Sequence, residues 1–437
     1  MRKLLFVFLI TLTACSSKET IIKSEPSLDF VVTYGGSSNE VANSATKTFD
    51  GGYAIAGFTM SNDGDLSEKS SSDADFLILK YNQNDELLWS KIYGGSDDDR
   101  ADKIIETNDN GFIVLGYTKS SDGNVTTSNG DRDIWVLKLN ANGELLWEKT
   151  FGYNGRDIGT SVTTTIDNGL LICGELDVTA SNGEGNTNAK NQQRHAGGDF
   201  WAIKLNNNGE LEWSRYFGGN FTDTPHSVIQ NENGEYILAG TSDSNDVDIS
   251  NNKGTYDFWV VKIDADGNLI WEKNFGGSEI DEARDIIKTN DNNYLIVGDT
   301  RSTDTDVSVN NGGADIWLIK IDTNGNLLSE KTFGGTNFDA ARSLKTNNLD
   351  YLVAGSSRSN NGNFVNKGQN DAWLFSASTD NKILWEVFVG GSEIDFFYDA
   401  VQLQNGNFIA VGESTSSSDD IPENKGFSDI LIAKIKK

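Results

Sequence analysis

Two acidic positions recur seven times along this chain of 437 residues. The first holds Glu40, Asp99, Asp157, Asp223, Asp281, Asp339 and Asp395. The second holds Asp75, Asp133, Asp199, Asp257, Asp315, Asp371 and Asp429. Carboxylates at a fixed interval can do one of two things. They can hold Ca²⁺, which takes several oxygen ligands, and the first set is the candidate metal set. Alternatively, each accepts hydrogen bonds from loop N–H groups and from a Ser or Thr of its own unit. Presence in every copy favours the structural role, because a site normally breaks the symmetry of a repeat.

Asymmetry is the better guide to chemistry. Three residues beyond the first acidic position, the side chain changes from copy to copy: Asn43, Asp102, Thr160, His226, Arg284, Arg342 and Tyr398. His226, Arg284 and Arg342 stand in three successive copies and make a cationic arc on an acidic chain. Arg194 and His195 lie in an enlarged loop of the preceding copy, roughly 177–198, so both histidines are expected in one sector of one face. His195, His226, Arg284 and Arg342 are therefore the candidate ligand-binding residues, suited to an acidic sugar or another carboxylate. The competing reading is solvated histidines and salt bridges between neighbouring units. Metal-ligand His/Cys spacing, a phosphate-binding glycine loop and a nucleophile elbow are absent. Runs such as Asp264-Ala265-Asp266-Gly267 are hairpin turns, since the glycine comes too early for a calcium loop.

These residues are positioned by a repeat whose marker is a paired glycine. It falls at Gly35, Gly94, Gly152, Gly218, Gly276, Gly334 and Gly390, with Gly152-Tyr153 the imperfect copy. Within the fifth copy the apolar runs predict strands over 285–289, 294–298, 315–320 and 327–333. The acidic positions are expected in the loops that precede the first and third of these. Asp322-Thr323-Asn324-Gly325 is a hairpin turn. Four short strands repeated seven times describe an all-β, seven-bladed β-propeller. The ends agree. The last copy stops after its third strand at 429–434, and the chain opens with a lone fourth strand at 28–34, so the N-terminal strand completes the last blade and leaves no open edge.

Two slots account for all ten tryptophans. Trp135, Trp201, Trp259, Trp317 and Trp373 fall in third strands, and Trp89, Trp147, Trp213, Trp271 and Trp385 in fourth strands. Such regular placement predicts packing between blades. The run Lys262-Ile263-Asp264-Ala265-Asp266-Gly267-Asn268-Leu269-Ile270-Trp271 resembles the tryptophan-docking repeat of quinoprotein-type propellers. With the recurring Trp, Asp and Gly-Gly, residues 28–437 are similar to propeller repeats of bacterial lipoproteins and to WD-repeat propellers. The resemblance implies the fold; the metal-and-cofactor site of quinoprotein dehydrogenases has no match here, and no cofactor beyond Ca²⁺ is considered.

The N-terminus reads as an address. Met1-Arg2-Lys3 precedes an apolar run too short to span a membrane, so 1–14 is a signal peptide. Leu12-Thr13-Ala14-Cys15 resembles a bacterial lipobox, which implies lipidation of Cys15, and Ser16 implies sorting to the outer membrane. Residues 15–27 form the lipidated tether. Cys173, in an apolar strand, is a small core residue. The formal charge of −29 argues against nucleic acid and against electrostatic docking on anionic lipid. The expectation is a monomeric, lipid-anchored module at the outer membrane, facing the periplasm or the cell surface, with a protein or glycan on its loop face. The rivals are a polysaccharide-active glycosidase or lyase, for which no catalytic pair stands out, and an outer-membrane assembly factor.

Overall fold

The computed structural model describes residues 26–187, 195–347, 350–362 and 364–437. The expected signal peptide, Cys15 and Arg194 lie outside the described residues. Seven sheets of four antiparallel strands form the body, and we number them blades 1 to 7 by the chain order of their innermost strands. Blade 5 shows the pattern: inner strand Asp281–Lys288, then Tyr294–Thr300, Asp315–Ile321 and outer strand Leu327–Phe333. Its second and third strands are buried along almost their whole length, as unbroken apolar runs require when both faces meet a neighbouring blade.

The inner strand begins four residues earlier than the apolar pattern suggests. Asp281 is its first residue and pairs with Thr300, and Asp315 likewise opens the third strand. Asp281 is thus a strand start rather than a loop residue and Asp315 opens its strand as the apolar run predicts, whereas in blade 3 Asp157 stands just ahead of the strand Ile158–Thr164. The stretch 281–284 carries no apolar run because Asp281 is tied to loop donors of its own blade, only the small Ala283 packs between blades, and Arg284 faces the channel cavity.

The ring closes as the chain ends predict. Blade 7 is built from Asp395–Gln402, Phe408–Ser414 and Asp429–Lys436, with the N-terminal strand Ser27–Tyr34 as its outer edge. Ser27 pairs with Lys436 and Tyr34 with Ile430. Pairing the two ends of the chain satisfies backbone groups that would otherwise present an open edge.

Hydrophobic layers lie between blades. Phe76 and Ile78 of blade 1 pack with Phe112 and Trp135 of blade 2, and Phe258 of blade 4 packs with Trp317 of blade 5. The tryptophan slots have distinct jobs. The third-strand Trp135, Trp259, Trp317 and Trp373 are fully buried, and each indole N–H donates to a glutamate on the outer strand of its own blade: Glu148, Glu272, Glu330 and Glu386. The fourth-strand Trp89, Trp213 and Trp271 reach the next blade instead, donating to the carbonyls of Ala141, Ala265 and Thr323 in its hairpin turn. Each such indole covers apolar surface and satisfies its one polar group at the junction.

Candidate functional site

Every inner strand carries a β-bulge at the same place. The pairing register shifts between Ala42 and Ser44, Ala101 and Lys103, Gly159 and Ser161, Pro225 and Ser227, Ala283 and Asp285, Ala341 and Ser343, and Phe397 and Asp399. The residue skipped in each blade is the variable one: Asn43, Asp102, Thr160, His226, Arg284, Arg342 or Tyr398. A bulge re-aims a side chain, and here all seven point into one cavity of about 340 Å³ on the channel axis. Opposite each bulge the second strand carries glycine, because the bulged backbone comes close. A Cβ at Gly298 would stand 1.9 Å from the carbonyl oxygen of Glu282.

The structure brings three of the four ligand candidates together. The Arg284 guanidinium lies 3.1 Å from His226 Nε2 and donates to Glu282 at 3.0 Å. Burial, reinforced by Arg284 and Arg342, holds His226 well below the usual histidine range, so it is neutral and accepts from Arg284. Arg342 lies over the ring of Tyr398, 6.0 Å from its centroid, and Tyr398 donates to Glu413 at 2.6 Å. Among the described residues no carboxylate or other acceptor contacts the Arg342 guanidinium, and its Nε is buried without a partner. Burial and the nearby Arg284 lower its pKa. Behind the two arginines, burial pushes the carboxyl of Asp299 up to about 6.

Asp102, Arg156, Thr160 and Glu175 line the same cavity. Enclosure pushes Asp102 up to about 7 and also raises Glu175. Below this level the channel is crossed by a charged tie. Lys345 Nζ lies 3.0 Å from Asp399 and 3.3 Å from Asp285, and Lys103 stands 4.0 Å from Asp399. Ser343 donates to Asp399 at 2.7 Å and Ser227 donates to Asp285 at 2.7 Å. Burial opposes ionisation of Asp399, yet Lys345 and Lys103 hold its carboxyl at about 2. A second, wider cavity of about 680 Å³ opens beneath the tie.

The first acidic ring is occupied by its own blades, whereas in the second ring one carboxylate oxygen of Asp133, Asp199, Asp257, Asp315, Asp371 and Asp429 is buried without a hydrogen-bond partner among the described residues. Asp281 accepts from the Gly277 N–H at 2.7 Å, from Ser302 at 2.9 Å and from Thr300. Asp395 does the same with Gly391, Ser416 and Ser414. Glu40, Asp99, Asp223 and Asp339 repeat the arrangement with small variations. Among the described residues no group of three or more acidic, His or Cys side chains could hold a metal ion. Blade 3 explains the imperfect glycine pair. The second glycine elsewhere abuts a serine, as Gly277 abuts Ser302, whereas Asp157 accepts from the backbone of Tyr153 and Asp177. Without that serine, a tyrosine fits.

His195 does not join the cavity. Its ring is buried in the loop ahead of the third strand of blade 3, with Nδ1 2.6 Å from Asp199 and Nε2 3.9 Å from Asp248. Burial works against its charge, but the hydrogen bond to Asp199 raises its pKa. It stands where other blades have lysine: Lys253 pairs with Asp306, Lys367 with Asp420 and Lys425 with Asp65. His195 is a blade-to-blade tie: it lies at the loop end between blades 3 and 4, beside the blade that carries His226, but it does not line the cavity that His226 enters. Sequence reasoning did not single out Asp102, Lys345, Asp285 or Asp399. For Asp285 and Asp399 the available signal was the residue after each bulge, which is Ser in four copies and charged in Lys103, Asp285 and Asp399.

The fold defines the chain as a seven-bladed β-propeller. No protein-family model matches the sequence, and no curated protein matches it. Solved structures that are similar include a protein of unknown function from Dyadobacter fermentans, 10% identical over 94% of this chain and 99% of that one, TM-score 0.47. A putative 6-phosphogluconolactonase from Bacteroides fragilis is 14% identical over 85% and 97%, TM-score 0.43. A lignostilbene dioxygenase from Pseudomonas brassicacearum is 10% identical over 91% and 94%, TM-score 0.44. At these values the likenesses carry no functional argument.

Proposed function

We propose that this chain is a lipid-anchored envelope propeller that binds a carboxylate-bearing ligand, the end of an acidic glycan or of a protein chain, in its channel cavity. The observation that carries this is Arg342, whose guanidinium lines the cavity without an acceptor among the described residues and beside a second arginine. An enclosed cation of this kind is stabilised by an entering anion, and two arginine forks suit a carboxylate. A volume of about 340 Å³ accommodates one small group rather than a folded partner. Attachment through Cys15 is compatible with this use. Ser27 pairs with Lys436 at the turn end of blade 7, whereas the cavity's bulged residues follow the acidic starts of the inner strands, at the loop end. A tether entering at the turn face leaves the loop face free.

Calorimetric titration of the full-length protein in detergent with uronate oligosaccharides and acidic peptides tests this reading. Binding that is lost in Arg342→Gln, with the melting temperature little changed, is the expected result. If no carboxylate ligand binds the native protein, the reading is wrong. The polysaccharide-active alternative is favoured by one observation, the carboxyls of Asp102 and Glu175 raised by enclosure on one wall. Release of new reducing ends from an acidic polysaccharide, abolished in Asp102→Asn, would establish it.

A further inference from the structure

We propose that the ligand of this cavity is zwitterionic, with its carboxylate on Arg342 and Arg284 and its ammonium group on Asp102. This rests on the carboxylate-binding reading and adds a second subsite to it. The argument begins with the ring. Asp102 belongs to blade 2, Arg284 to blade 5 and Arg342 to blade 6. In a ring of seven, blades 5 and 6 are the two that lie farthest from blade 2. The one acidic residue among the seven bulge positions therefore faces the two arginines across the channel.

Opposite charges that face each other without meeting leave a gap for a ligand that bridges them. Among the described residues Asp102 has neither a hydrogen bond nor an ion pair, and its polar neighbours are engaged elsewhere. The Asn43 amide donates to the Ala101 carbonyl at 2.8 Å, and the Thr160 hydroxyl donates to the Cys173 carbonyl at 3.2 Å. Arg100, two residues before Asp102, is paired with Asp98 at 2.7 Å. Lys103 lies on the cavity floor with its ammonium 4.0 Å from Asp399. The Asp102 carboxyl is thus a free acceptor on its wall, beside Glu175, as Arg342 is a free donor on the other. Enclosure raises the Asp102 carboxyl, and a bound cation would favour its ionised form.

A free amine at one end and a free carboxylate at the other is the chemistry of a short peptide or an ω-amino acid. The probes are triglycine and 6-aminohexanoate, each compared with its N-acetyl and C-terminal amide derivatives by calorimetry on the full-length protein. The free zwitterions are expected to bind, with N-acetylation and amidation each weakening binding by about tenfold or more. In Asp102→Asn the N-acetylation penalty disappears and the amidation penalty stays; in Arg342→Gln the reverse holds. Thermal melts of both variants verify that they fold. If the N-acetyl and free forms bind the native protein equally, the ammonium subsite is refuted while the carboxylate reading stands. If neither form binds and uronates also fail, both readings fall.

Discussion

Lys345 reaches across the channel floor to place its ammonium 3.0 Å from Oδ1 of Asp399, on the neighbouring blade. The same ammonium lies 3.3 Å from Asp285 of blade 5, and Asp399 also accepts from the Ala45 N–H and the Ser44 hydroxyl of blade 1. One lysine and two aspartates therefore connect blades 5, 6, 7 and 1. The ring is closed on its inside by this tie and on its outside by the N-terminal strand.

Replacing Lys345 by Met leaves two buried carboxylates sharing only the more distant Lys103. Loss of about 3–5 kcal/mol is expected, the cost of an uncompensated buried charge. Urea unfolding measures it. A loss below about 1 kcal/mol would show that the tie is not structural.

Acidity is expected to stabilise the protein before it unfolds it. Burial, with neighbouring carboxylates adding in several cases, raises Asp157 to about 7, Asp223 to about 8, and Asp257, Asp315, Asp371 and Asp429 to about 6. In the unfolded chain these groups titrate near ~3.9. Between that value and their folded values the native state holds more protons, so stability falls as pH rises through the window. His226, buried and neutral, acts in the opposite direction below about pH 6.5, as one group against these six and the likewise raised Asp102 and Asp299. Scanning calorimetry is expected to give a melting temperature about 5 °C higher at pH 5 than at pH 8. The contribution of Asp399 has the other sign: it is present above ~3.9 and is lost as pH falls through about 2.

Gly298→Ala places a methyl group against the Glu282 carbonyl at the base of the Arg284 bulge. Relief requires the bulge to shift, at a cost of about 1–3 kcal/mol or more. Chemical denaturation is expected to show this loss, and the same variant should weaken carboxylate binding by displacing Arg284. Unchanged stability would mean that the bulge is soft.

His195 offers a sharp contrast between a tie and a site. His195→Lys reproduces the residue found at Lys253, Lys367 and Lys425 and is expected to change stability by less than about 1 kcal/mol, whereas His195→Ala strands Asp199 and costs about 1–3 kcal/mol. Neither is expected to alter ligand affinity. Loss of binding in the lysine variant would return His195 to the site.

Ca²⁺ and EDTA are expected to shift the melting temperature by less than about 2 °C, since the hydroxyl and N–H donors around Asp281 and Asp395 already satisfy their carboxylates. A rise of many degrees with Ca²⁺ would identify the first ring as metal ligands.

The sequence by itself determined the blade count, the four strands per blade and the closure by the N-terminal strand. These are local and repeated: apolar runs of strand length, turns with glycine, and a missing fourth strand at one end matched by an extra one at the other. It also determined which position varies, and so drew His226, Arg284 and Arg342 together. What only the tertiary structure decided was the company those residues keep. Asp102 lies 182 residues from Arg284 in the chain and faces it only because blades 2 and 5 stand apart across a ring of seven. His195 looks like a partner of His226 along the chain, yet it lies in a loop packed on Asp199 and Asp248. A repeat specifies each blade through contacts within it and with the next one, whereas the channel is made by residues that meet only when the ring is complete.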